Sequence, residues 1–102
     1  MSATASNLTD FDWSAHALAG HAVQLGQIDK PSVIALNRLV REGKLARCRG
    51  YWSGHCIGPL KTIWAAPGET FRTRQIVEIV EATPAFIAAD EHAREFNFAE
   101  AA

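Results

Sequence analysis

The sequence predicts a single α+β domain that is mainly helical, with amphipathic helices packed around one short β-hairpin. Three observations lead to this fold class. Apolar residues recur at helical spacing in the first half of the chain, and two short strand-like segments flank a loop with three glycines and one proline. A further apolar segment with helical spacing precedes the C-terminal region. The 102 residues suffice for one domain with one modest core.

The first predicted helix runs from about Trp13 to Gly26, with Asp12 or Thr9 as its N-cap. Residues 1–10 are small and polar, and we expect them to be flexible. The helical wheel places Trp13 and Ala17 away from the core. The core-facing side is predicted to consist of small and aliphatic residues, namely Ala15, Leu18, Ala19, Ala22, Val23 and Leu25.

The second predicted helix, over 30–42, is the clearest amphipathic segment of the chain. Asp29 is a good N-cap, Pro31 lies in the first turn, and Gly43 ends the helix. The predicted core side consists of Val33, Leu36, Leu39 and Val40. The opposite, exposed stripe is predicted to consist of Lys30, Ile34, Asn37, Arg38 and Arg41.

Two strands are predicted next, at 45–49 and 61–65, joined by the loop of glycines and proline as an antiparallel hairpin. Isoleucine and valine then recur at helical spacing, which favours a helix over 72–82, although these residue types also favour a strand. Thr83 and Pro84 open a last helix that ends near Phe96. We expect 97–102 to be flexible.

The charges are segregated along the chain. Residues 30–74 hold nine of the ten Lys and Arg residues and only two acidic residues, which gives this segment a net charge of +7. Residues 1–29 carry −3 and residues 75–102 carry −5, so the whole chain has a net charge of −1. Such segregation creates a local positive field that the net charge hides.

The basic segment resembles the winged helix-turn-helix superfamily. Residues 31–49, PSVIALNRLVREGKLARCR, look like its recognition helix and first wing strand, and 61–66, KTIWAA, look like the returning strand. Residues 16–26, HALAGHAVQLG, are similar to the helix before the turn. The family's core rhythm is approximated by Val33, Leu36, Leu39, Gly43 and Leu45. Two departures are the long loop between the wing strands and the lack of an additional helix before Trp13.

This resemblance implies a small bacterial or phage-type transcriptional regulator that binds specific sequences in double-stranded DNA. A helix of this kind fits the major groove, where Arg38 and Arg41 can contact guanine and Asn37 can pair with adenine. The two-stranded wing is expected to contact the DNA backbone. The residues expected to contact DNA are Lys30, Ser32, Asn37, Arg38, Arg41, Lys44, Arg47, Arg49 and Lys61.

We expect the regulator to act as a homodimer, because a single small DNA-binding domain has little affinity for DNA. The acidic and apolar segment 72–96 is the predicted dimerisation segment, through Ile76, Ile79, Val80, Phe86 and Ile87. The alternative is a protein-binding module that reuses the winged-helix shape. It would belong to an assembly or inhibit a nucleic-acid enzyme, and it would bind through Tyr51 and Trp52.

The sequence favours no enzyme, cofactor or metal site. Cys48, His55 and Cys56 lack the two separated ligand pairs of a zinc site, and adjacent His55 and Cys56 point apart in a loop or strand. No apolar run approaches the ~20 residues of a membrane-spanning helix. The N-terminal residues lack the pattern of a signal peptide, so we expect a cytoplasmic protein.

Overall fold

The computed structural model describes residues 11–51, 59–69 and 76–101, and it shows an α+β protein with an antiparallel sheet of four strands. The helices of this part of the chain are α1 (Trp13–Leu18), α2 (Lys30–Arg41) and α3 (Pro84–Ala101). The strands are β1 (Val23–Gln24), β2 (Ala46–Gly50), β3 (Lys61–Ala65) and β4 (Ile76–Glu81). The α+β class is confirmed, but the expectation of a mainly helical protein is wrong because the sheet is central to both cores.

The sheet has the strand order β1-β3-β2-β4 and separates two hydrophobic cores. Successive residues of a strand point to opposite faces, so β2 directs Ala46 and Cys48 to one side and Arg47 and Arg49 to the other. The face of Ala46 and Cys48 packs against Phe86 of α3. The other face carries α1 and α2, in a core formed by Trp13, Ala17, Val23, Leu36, Val40, Leu45, Trp64 and Ala66.

Helix α2 confirms the strongest sequence prediction. Its bounds, Lys30–Arg41, agree with the predicted range to one residue, and the Asp29 side chain accepts a hydrogen bond from the Ser32 backbone N–H at 3.0 Å. Leu36 and Val40 are buried, and the neighbouring Val33 and Leu39 pack against them from partly buried positions. The amphipathic period therefore identified the core side of this helix correctly.

Helix α1 is much shorter than predicted, and its predicted core side is wrong. It ends at Leu18, and Gly20 then adopts a left-handed conformation with φ +95°, which breaks the helix. Trp13 and Ala17 are the buried residues, whereas Leu18 is 45% exposed.

The second half of the predicted first helix is a strand. Val23 and Gln24, predicted to be helical, pair instead with Trp64 and Ile63 of β3. A short 3₁₀-helix, Leu25–Gln27, follows. Strand pairing has overridden the helical propensity of an alanine-rich segment.

The predicted hairpin exists, but it is not a separate two-stranded wing. Strand β3 matches its predicted range, and β2 lies one residue later than predicted. Both strands are hydrogen-bonded on two sides, since β3 pairs with β1 and β2, and β2 pairs with β3 and β4. The hairpin is therefore the centre of the sheet.

The segment predicted as a helix over 72–82 contains strand β4, Ile76–Glu81, which is the alternative that its valines and isoleucines favoured. Residues 72–75 lie outside the described part. Pairing with β2 explains the outcome, because it hydrogen-bonds one side of the β4 backbone and lets Ile76 and Ile79 pack against the core around Phe86. Helix α3 starts as predicted at Pro84 but extends to Ala101, through most of the tail that was expected to be flexible.

A glycine holds the end of α2 against the start of α3. Gly43 has a left-handed φ of +84°, and a Cβ at this position would lie 2.9 Å from the Thr83 Oγ1. That hydroxyl oxygen accepts a hydrogen bond of 3.1 Å from the backbone N–H of Phe86, so it caps α3. Both the backbone conformation and the close approach therefore require glycine.

We expect Gly43→Ala to lower the free energy of unfolding by about 1–3 kcal/mol, because alanine is strained at this φ and displaces the Thr83 cap. Urea denaturation followed by circular dichroism measures the change. Gly26→Ala is the matched control, since a Cβ there would meet only the Gln24 side-chain nitrogen at 3.6 Å, and its effect should stay within about 0.5 kcal/mol. Equal effects of the two substitutions would contradict this role of Gly43.

Candidate nucleic-acid interface

Helix α2 is held in place at its N-terminus by a capping arrangement. The Asp29 carboxylate accepts hydrogen bonds from Ser32, from the side chain and from the backbone N–H, and these bonds lower the pKa of Asp29 below its usual value. Pro31 occupies the first turn, where its missing N–H costs nothing. Ser32, which was expected to contact DNA, is therefore half-buried and engaged in the cap.

The outward side of α2 carries three cations and one large apolar residue. Lys30, Arg38 and Arg41 are exposed, and no carboxylate of the described residues lies within ion-pair distance of them. The spacing of these residues places them on a common side of the helix, opposite Leu36 and Val40. Ile34 lies on the same side and is 62% exposed. We call Lys30, Ile34, Arg38 and Arg41 the α2 stripe.

Asn37 does not belong to the α2 stripe, although the helical wheel placed it there. Its side-chain oxygen accepts a hydrogen bond of 3.1 Å from the indole N–H of Trp64, a residue that is 1% exposed. Asn37 is half-buried against the sheet. The expected role of Asn37, pairing with adenine, conflicts with this contact, which satisfies the donor of a buried tryptophan.

The arginines of β2 are paired with glutamates of β4. The Arg47 Nη2 lies 2.8 Å from the Glu81 Oε1, and the Arg49 Nη1 lies 3.7 Å from the Glu78 Oε1. These pairs follow from the register of the sheet, in which Arg47 is opposite Glu81 and Arg49 is opposite Glu78. The acidic C-terminal segment thus places carboxylates beside the two arginines of β2 that were expected to contact DNA.

The remaining two predicted contacts, Lys44 and Lys61, are exposed, but neither joins the α2 stripe. The Lys44 Nζ lies 3.8 Å from a carboxylate oxygen of Glu42, at the surface. Lys61 pairs with Gly50, and alternation along β3 places it on the opposite face from Trp64, hence away from α2. Of the nine residues expected to contact DNA, three are cations that lie together on α2 and have no carboxylate partner among the described residues.

An open groove of about 390 Å³ lies beside α2, on the same face of the sheet. Helix α2 forms one wall with Val33 and Asn37, and the sheet forms the floor and the opposite wall. The remaining lining residues are Leu25, Arg47, Cys48, Arg49, Thr62, Trp64 and Val80. Neither Glu78 nor Glu81 lines it, so the two arginines reach their partners outside the groove.

The five residues predicted to form a dimer surface do not form one exposed surface. Phe86 is fully buried in the core of its own chain, so it cannot contact a second copy, and Ile76 and Ile79 pack partly buried beside it. Val80 is 49% exposed but lines the groove on the α2 side, whereas Ile87 is 36% exposed on α3. Tyr51, through which the alternative protein-binding module would bind, is half-buried, and Trp52 lies outside the described residues.

Cys48 is a core residue. It is fully buried against α3, and burial raises the pKa of its thiol to about 12, with a further contribution from the negative charge of Asp90. Asp90 is itself buried and accepts hydrogen bonds from the Gly68 backbone N–H at 2.9 Å and from the Arg94 guanidinium at 2.7 Å. His55 and Cys56 lie outside the described residues, and within the described part no three His, Cys, Asp or Glu side chains are placed to hold a metal ion.

Sequence reasoning missed the contacts that join distant segments. Glu78 and Glu81 could have been found only by predicting β4 and its register, and the pair Asn37–Trp64 spans 27 positions of the chain. His16 and His21 stack at 4.6 Å because α1 ends between them. The helical periodicity of the sequence cannot predict any of these contacts, because each depends on a turn or on strand pairing.

The chain matches no protein-family model, no curated protein and no solved structure. None of the helices that the structure describes is both long enough and apolar enough to cross a lipid bilayer.

We expect Asn37→Ala to lower the free energy of unfolding by about 1–3 kcal/mol, because it leaves the buried Trp64 N–H without its acceptor. Arg38→Ala is the control on the neighbouring exposed position, with an expected change within about 0.5 kcal/mol. Urea denaturation gives both values. An Asn37→Ala protein as stable as the Arg38→Ala protein would show that this hydrogen bond does not matter.

The lowered pKa of Asp29 predicts a pH-dependent contribution to stability. Because the pKa is lower in the folded than in the unfolded chain, the charged form stabilises α2 above the ordinary pKa of 3.8, and this contribution is lost as the pH falls through the lowered value. Asp29→Asn keeps a capping oxygen without the charge, so it should melt at a lower temperature than the wild type at pH 7. The difference should shrink in thermal melts below pH 3.8. A constant difference would contradict the assignment.

Proposed function

We propose that this protein is a sequence-specific DNA-binding regulator that contacts the major groove through the α2 stripe and acts as a homodimer. The observation that carries the proposal is the set of exposed cations on one side of α2, namely Lys30, Arg38 and Arg41, which have no ion-pair partner within the described part of the chain. Guanidinium groups at such positions can form paired hydrogen bonds with guanine or contact phosphates. The sequence resemblance to winged helix-turn-helix proteins supports the same use of this helix.

The proposal assigns less of the contact to the hairpin than the sequence suggested. A phosphate that approached Arg47 would have to compete with Glu81, whose carboxylate lies 2.8 Å from the guanidinium, and would meet the negative charge of this glutamate. Binding through α2 avoids both costs. We therefore place the DNA contact on α2 and leave β2 and β3 as the scaffold that supports it.

The homodimer is part of the proposal because one helix with three cations supplies limited affinity. Two copies would contact two half-sites on the DNA. The spacing of these half-sites would reflect the distance between the two α2 helices of the dimer. Of the apolar residues expected at the dimer surface, Val80 and Ile87 are the exposed ones among those whose side chains the structure describes.

A second candidate function, a protein-binding module, is favoured by one specific observation. Ile34 lies in the middle of the α2 stripe and is 62% exposed, and an apolar residue at the centre of a charged surface is typical of a protein interface. The two functions use the same helix but depend on different side chains, so substitutions can separate them.

We expect Arg38→Gln with Arg41→Gln to weaken binding to double-stranded DNA and to reduce the slope of log affinity against log salt by about 2, because two phosphate or base contacts are lost. Fluorescence anisotropy with duplexes selected from a random library measures both quantities, at several salt concentrations. Light scattering of the free protein and of the complex shows whether two copies bind.

Two variants serve as controls, Lys61→Gln and Ile34→Ser. Each is compared with the single variants Arg38→Gln and Arg41→Gln. Lys61→Gln removes the same charge from the other face of the sheet and should leave the affinity within about twofold. Ile34→Ser should change DNA affinity less than either arginine variant does. If Lys61→Gln weakens binding as much as Arg38→Gln does, or if no duplex binds at low salt, the DNA-binding proposal is wrong. Loss of a protein complex with Ile34→Ser alone would favour the second candidate.

A further inference from the structure

The groove beside α2 is lined by apolar side chains and by the two arginines of β2. Leu25, Val33 and Val80 supply the accessible apolar surface, from three different elements of the fold, and the largely buried Trp64 also lines the groove. The volume of about 390 Å³ lies within the range of sites that hold small molecules. The two α2 residues that line the groove, Val33 and Asn37, are helical neighbours of the α2 stripe, so the groove borders the side of α2 that carries the cations.

Arg49 has unused hydrogen-bonding capacity. Its nearest carboxylate oxygen, on Glu78, is 3.7 Å away, which is too far for a hydrogen bond, and both side chains are 54% exposed. Within the described residues no hydrogen bond of the Arg49 guanidinium is found, whereas Arg47 is held by Glu81 at 2.8 Å. Arg49 can therefore exchange a weak surface partner for a ligand at little cost.

The register of the sheet places Arg49 on the same face as the apolar part of the groove. Arg49 is directly opposite Thr62, and the next pair on the same face is Arg47 and Trp64. The lining residues thus continue from Arg49 through Thr62 and Trp64 to the side of α2. A ligand that fits this surface needs a flat apolar body and one anionic group at its end.

We propose that this groove binds a small molecule with a flat apolar body and a carboxylate, the carboxylate pairing with Arg49 in place of Glu78. A carboxylate matches the planar fork of a guanidinium, so the two can form parallel hydrogen bonds. The apolar body lies between Val33 of α2 and Val80 of β4, and the Asn37 amide borders it. The inference does not depend on DNA binding.

The test uses two simple carboxylates as probes, indole-3-acetate and 2-naphthylacetate, each compared with its neutral amide. Titration into ¹⁵N-labelled protein should give saturable shifts of the Trp64 indole N–H, the Asn37 side-chain amide and the Val33 backbone amide. The neutral amide forms of the two probes should bind to the protein at least about tenfold more weakly than the carboxylates, because they lack the charge that pairs with Arg49.

Three variants sharpen the test. Arg49→Gln should weaken binding of the carboxylates about tenfold, Glu78→Gln should strengthen it because the competing carboxylate is gone, and Lys61→Gln should leave it unchanged. Arg49 and Glu78 are surface residues, and thermal melts establish that each variant is folded. The proposal is overturned if neither carboxylate binds saturably or if the shifts map to another surface. Equal binding of acid and amide, or equal weakening by Lys61→Gln and Arg49→Gln, also overturns it.

Discussion

The fold depends on strand β2 being hydrogen-bonded on both sides. Its two neighbours, β3 and β4, come from the predicted hairpin and from the acidic C-terminal segment, so β2 joins the two halves of the chain. The alternation of its side chains then assigns each layer, with Ala46 and Cys48 under α3 and Arg47 and Arg49 on the side of α2. A shift of one residue in this register would bury the arginines and expose the small residues.

The same register changes the meaning of the charge pattern. In the sequence, the basic and acidic segments are separate, and the basic one suggests a continuous positive surface. In the fold, Glu78 and Glu81 lie beside Arg49 and Arg47. The cluster of exposed cations without a carboxylate nearby among the described residues is therefore the α2 stripe. Charge segregation along a chain therefore indicates an interface only after strand pairing has been taken into account.

The sequence predicted best where several local signals agreed. Helix α2 has a cap, a proline in its first turn, a clear apolar period and a glycine at its end, and all four agree. The prediction failed for the region after Leu18 and for β4, because both became strands through pairing with distant partners. At the candidate site, the exposed positions of Arg38 and Arg41 were predictable from the helical wheel. The hydrogen bond that keeps Asn37 against the sheet was not, because predicting it requires knowing where Trp64 lies.

Strand β4 is an edge of the described sheet, and its sequence, IVEIVE, is rich in residues that favour β-structure. An edge of this kind is a template for aggregation between chains, and natural proteins protect such edges with charged side chains. Glu78 and Glu81 are exposed on β4 and suit this protective role while they neutralise the arginines of β2. Two functions thus fall on one pair of glutamates. Replacing both by neutral residues would increase the positive charge near the groove and at the same time favour self-association through the edge, so gains in anion binding would come with a loss of solubility.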